Sequence, residues 1–159
     1  MAYNLRTPTS KTFYFRIDEA TDYVRLIEVQ KDEDHDVFIS FRQATATDVE
    51  QRTQALSRRE YRGNGVGGLI LVDETNLDTV TRLEIFLTLT DTDINFPDGK
   101  PLEFKTVAGH QAVASRQKFD EYWTNMYPHW AVVFSQCCQK VNANWDPKRQ
   151  FSSEPQPET

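Results

Sequence analysis

At 159 residues and a net charge of −6, the chain is long enough for one domain with a real core and short for two. An apolar share of 38% and an aromatic share of 12% supply burial that offsets chain entropy, which excludes wholesale disorder. The acidic balance runs against the basic surface that neutralises phosphates, and no run approaches the roughly 20 apolar residues of a membrane span.

Met1 to Lys11 lacks the apolar centre of a signal peptide, so the expected compartment is the cytoplasm. Thr12 to Ile17 alternates Phe13, Phe15 and Ile17 with more polar neighbours, the period of a half-buried strand. A turn over 18–22 leads to a second strand, Tyr23 to Gln30, with Ile27 and Val29 on one face and Leu26 on the other. The acidic run Asp32, Glu33, Asp34, Asp36 lacks the central Gly of a calcium loop and reads as a turn. Asp36 to Arg42 is a third strand, and the three together suggest an antiparallel meander.

The period then changes. Thr47 and Glu50 are spaced as a capping box for a helix from Asp48 to about Tyr61, with Val49, Ala55 and Leu56 available to pack inward. Its arginines, Arg52, Arg58, Arg59 and Arg62, read as a solvated face. Glycines from Gly63 to Gly68 end the helix, and Leu69 to Val72 suits a short strand. Leu77 to Leu89 carries two patterns: Leu83, Ile85, Leu87 and Leu89 alternate as a strand, while Leu77, Val80, Glu84 and Leu87 trace a helical stripe with Asn76 as a cap. Pro97 to Lys100 is a turn. Over 108–144 the chain reads as helical, with Phe119, Trp123, Met126, Trp130, Val133, Cys137 and Val141 on one stripe. Pro128 breaks that run near Tyr127 and starts a second helix.

The expected architecture is α+β: one domain over 1–148, β-rich at 10–45, mixed at 46–104 and helical at 108–144, then a disordered tail at 149–159.

Signals for chemistry are weak. Gly63, Gly65 and Gly68 match a dinucleotide-binding spacing, but a helix precedes them and an apolar run follows, the reverse of what that motif needs. His35, His110 and His129 stand in no paired-ligand spacing, and no Gly-x-Ser-x-Gly elbow occurs. Cys137 and Cys138 are adjacent, a strained separation for a disulfide, and one of them is expected to face the core. No catalytic, cofactor or metal residue is therefore assigned, and the chain is read as non-enzymatic. Aromatic bulk does stand out. Tyr122, Tyr127 and Phe134 fall off the main stripe, and with Trp130 they are the candidate partner-binding residues, unless the second helix is buried on two sides.

Asp91-Thr92-Asp93-Ile94-Asn95-Phe96-Pro97-Asp98-Gly99-Lys100-Pro101-Leu102-Glu103-Phe104 resembles a segment of phage tail-assembly chaperones and related small phage tail proteins. Phe38 to Asp48 is similar to their strand that runs into a capped helix, and Trp123 to Trp145 to their closing helices. Where the family usually has Trp, this chain has Thr92 or Asp93. The resemblance favours helix over strand for 77–89. It implies a cytoplasmic factor that holds tape-measure and tail-tube proteins during virion assembly; the residues themselves suggest no cofactor, nucleic acid or membrane partner. Alternative readings are a head-tail connector or tail adaptor that self-associates into a ring, and a small phage regulator that binds a host protein.

Overall fold

The computed structural model describes residues 2–19, 24–56, 59–63, 69–73 and 77–145. Residues 20–22 of the expected turn, the cap at Asn76, Arg58, Gly65, Gly68 and the tail at 149–159 lie outside the described residues, and Asp18 of that turn belongs to the first strand.

The α+β class, with an N-terminal antiparallel sheet followed by helices, is present as expected. Strands β1 (Ser10–Asp18), β2 (Arg25–Val29), β3 (Val37–Arg42) and β6 (Leu89–Thr92) form a sheet in the order β2-β1-β3-β6. The nine-residue β1 is the spine. Its second half, Tyr14 to Asp18, pairs with β2, and its first half, Ser10 to Phe15, pairs with β3. Because β2 ends at the level of Tyr14 and β3 begins at the level of Phe15, a short connection crosses β1 between them.

Three contacts hold that crossing. His35 stacks 4.6 Å from Tyr14, the Asp36 amide donates to the Phe15 carbonyl, and the Asp36 carboxylate accepts from the Ile17 amide. The acidic run at 32–36 is thus a connection, as expected. Val29, opposite Tyr14 on the outer face, is buried at this crossing, while Ile27 on the same face is exposed.

The inner face carries Phe13, Phe15, Ile39, Phe41 and Leu89. Against it lies α4 (Pro128–Val141), with α2 (Leu77–Thr88) at its side. Pro128 opens α4 at its first turn, where its missing N–H costs nothing. Phe41 and Phe134 meet edge to face with centroids 6.4 Å apart, at the centre of the core. Of the two patterns in 77–89, the helical one holds up to Thr88, whose hydroxyl turns back to the Glu84 carbonyl. Leu89 then joins the sheet without a loop, opposite Phe41.

Two expected helical stretches are strands. The helix α1 (Ala46–Leu56) stops short of Tyr61, because Arg59–Gly63 (β4) pairs with the apolar Leu69–Asp73 (β5). Phe104–Val107 (β7) and His110–Val113 (β8) form a hairpin around Ala108 and Gly109, so helix begins only at α3 (Arg116–Thr124). Ala108 and Gly109 both have positive φ, 49° and 82°, as a two-residue type I′ turn requires.

The cap of α1 lies two residues earlier than Thr47. Thr45 Oγ1 accepts from the Asp48 amide, and the Asp48 carboxylate accepts from the Thr45 amide. The inward face of α1 also differs from expectation. Val49 is exposed, and among the described side chains the residues it buries are Asp48 and Arg52, one turn apart. Asp48 pairs with buried Arg42 at 2.6 Å, and Arg52 with buried Glu84 at 2.9 Å. Arg42 also donates to the Leu87 carbonyl, and Arg52 lies 5.2 Å from the Trp145 ring centroid. Arg52 is therefore not on a solvated face: ion pairs dock this helix at both positions.

Candidate functional site

The Asp91–Phe104 segment leaves β6 and folds into a short wall. The Thr92 hydroxyl donates to the Phe38 carbonyl, and the Asp93 carboxylate accepts from the Phe38 amide at 2.8 Å. The expected turn at 97–100 is present: Phe96 and Lys100 bond across it, and Gly99 takes a φ of 85° that favours glycine. Opposite this wall stands the corner between α3 and α4. Ser115 caps α3 by accepting from the Lys118 amide, and the turn at Asn125 to Tyr127 redirects the chain into α4.

Between wall and corner is a groove of about 340 Å³, lined by Val37, Asp93, Asn95, Phe96, Tyr122, Asn125, Met126, Tyr127 and Trp130 among others. Its rings come in two edge-on pairs, Phe96 with Tyr122 and Tyr127 with Trp130, each with centroids 5.2 Å apart. Two rings are fixed by hydrogen bonds at their polar ends. The Tyr122 hydroxyl donates to the Ile94 carbonyl at 2.9 Å, and Trp130 Nε1 donates to the Val24 carbonyl at 2.8 Å. Burial pushes the Tyr122 phenol above its ordinary range; Thr92 opposes that shift and Asp93 adds to it.

The four aromatic candidates divide unevenly. Tyr127 is 53% exposed on the rim. Trp130 and Tyr122 are buried, and form the floor of the groove. Phe134 is fully buried against Phe41 and Tyr122 and reaches no surface. The idea that all four are surplus fails because α4 is covered on two sides, by the sheet and by its neighbouring helices, so rings off the main stripe are core as well. What the side-chain count missed is the other wall. Asp93, Asn95 and Phe96 belong to the motif that carries the family resemblance, but nothing in their spacing placed them beside Tyr127.

Other reactive groups are occupied or enclosed. Cys137 and Cys138 are both buried, and burial pushes both thiols up to about 12. They are protonated at neutral pH and poor nucleophiles. Burial also raises the Glu84 carboxyl, partly offset by Arg52. The three histidines sit on separate elements: the β2–β3 connection, the start of β8 and the first turn of α4. Among the described residues no cluster of His, Cys, Asp and Glu could hold a metal ion, and no helix is long and apolar enough to cross a membrane. A larger cavity of about 410 Å³ lies beside α1 and the β7–β8 hairpin; of the charged residues that line it, Arg42 and Asp48 are committed to each other, and Lys105 lies on the hairpin.

No protein-family model, curated protein or solved structure matches this chain.

Proposed function

We propose that the protein is a non-catalytic binding factor whose groove between the 93–97 wall and the α3–α4 corner holds an apolar segment of another polypeptide. The observation that carries this reading is the half-exposed Tyr127 over a floor of Tyr122 and Trp130. Tyr122 and Trp130 are preorganised, held by hydrogen bonds, beneath a space suited to one or two large side chains. The sequence resemblance narrows the client to phage structural proteins. On that reading the chain is a tail-assembly chaperone that covers apolar segments of the tape-measure or tail-tube protein until polymerisation displaces it, and it works in the host cytoplasm. The Asp91–Phe104 motif forms one wall of the groove, which supports linking the resemblance to this site.

The test is the native mass of the full chain, alone and after mixing with purified tape-measure or tail-tube protein. A chaperone gains mass with client, and Tyr127→Ala weakens that gain about tenfold or more. A large, discrete ring formed without client, and no uptake of either client, would overturn the proposal and favour a head-tail connector.

A further inference from the structure

The groove has a one-sided polarity. Asp93 is exposed at its mouth, its carboxylate bonded only to the Phe38 amide among the described residues, and no Lys or Arg lines the space. A complementary ligand is an apolar residue followed closely by a cation.

The chain itself carries such a sequence. Residues 2–6 belong to no helix or strand and are exposed, with Leu5 99% and Tyr3 82% accessible, and the exposed Arg6 guanidinium 5.7 Å from the Tyr3 ring centroid. Burial elsewhere in the chain leaves few large apolar side chains in water, so two within three residues form an unpartnered segment. Behind them the chain is anchored. The Thr9 carbonyl accepts from the Gln43 amide, and Thr7 Oγ1 lies 3.8 Å from where a side chain on Gly109 would begin.

Topology decides whose groove this segment reaches. The anchored residues sit at the Arg42 end of β3, and the groove opens at its Val37 end. Those ends are ~17 Å apart along the strand, and five extended residues span at most ~17 Å. The segment also leaves in the opposite direction, so it has no length left to turn back.

We propose that Tyr3–Arg6 of one copy occupies the groove of a second copy, with Tyr3 and Leu5 among the aromatic walls and Arg6 against Asp93. Arm and groove are unlike surfaces, so their exchange either closes as a two-fold reciprocal pair or runs head to tail into a ring. It rests on the reading that the groove accepts chain segments, and makes the protein its own placeholder until a client competes.

Sedimentation equilibrium of the full chain from ~10 µM to ~500 µM tests it, the range in which so small a contact associates. The expected result is a mass that rises with concentration. Two surface variants, Leu5→Asp with Arg6→Glu in the arm and Tyr127→Ala in the groove, each weaken association at least about tenfold. An equimolar mixture of the two supplies one intact arm and one intact groove, and restores a one-to-one pair and nothing larger. A full chain that stays monomeric throughout, association untouched by the arm variant, or a mixture that fails to pair would each overturn the exchange. Client uptake by the arm variant separates the two proposals. Uptake without self-association of the full chain removes only the exchange, and self-association without uptake removes only the client reading.

Discussion

Replacing Arg52 and Glu84 singly and together tests whether charge docks α1. Both side chains are under a tenth exposed, and Arg52 Nε meets Glu84 Oε1 at 2.9 Å. Arg52→Met leaves a buried carboxylate without its cation, a loss of about 3–5 kcal/mol near pH 7. Glu84→Leu leaves a buried guanidinium, with a similar cost of about 3–5 kcal/mol, because a guanidinium cannot shed its proton.

Acid separates the two. Burial already holds the Glu84 carboxyl above 4.5 in the folded protein. A raised carboxyl contributes stability that is present below its unfolded value and lost as pH climbs through the folded one. Without Arg52 that window moves higher. Lowering the pH from about 7 to about 5 therefore recovers much of the loss in Arg52→Met, and little in Glu84→Leu. The double replacement removes both charges and lands within about 1 kcal/mol of the parent, or above it. Equilibrium denaturation at the two pH values reads all four proteins. If Arg52→Met is equally unstable at both, or the double variant is no better than the singles, the pair does not act as described.

Four further outcomes are expected. Ala108→Asn relieves a non-glycine residue at positive φ in the type I′ turn and raises stability by about 0.5–1 kcal/mol in a thermal melt. The folded protein leaves both thiols unreacted with a disulfide reagent at mildly alkaline pH, and two equivalents appear on denaturation. The same raised thiols cost stability as pH climbs from 9 toward about 12, because the unfolded chain loses those protons first. Tyr122→Phe removes the buried bond to the Ile94 carbonyl and destabilises by about 1–2 kcal/mol, whereas Tyr127→Ala, on the rim, changes stability by under about 0.5 kcal/mol.

The first three strands of the main sheet were legible, β1 and β3 because Phe13, Phe15, Val37, Ile39 and Phe41 alternate along one buried face; β6 was not. So was the break at Pro128, whose ring permits a helix start and forbids a helix interior. Stretches decided by distant partners were not legible. Arg59 to Gly63 became strand through pairing with Leu69 to Asp73, and Phe104 to Val113 through a turn whose first residue is an alanine, not the usual asparagine. For α1, counting apolar residues favoured Val49, but Asp48 and Arg52 turn inward because Arg42 and Glu84 are waiting there. Half the groove was visible as an aromatic excess in α3 and α4. The other half, Asp93 to Phe96, depends on where β6 delivers the chain, and periodicity carries no such information.

A helix fastened by ions instead of oil has its own mechanics. Should α1 swing away from Arg42 and Glu84, it uncovers guanidinium and carboxylate groups that water solvates readily, together with the Trp145 ring beside Arg52. Such a release responds to urea less than global unfolding does, because that effect scales with newly wetted surface. Amides of α1 would then exchange with deuterium through a private opening, while those of β1 and β3 wait for the whole sheet to come apart.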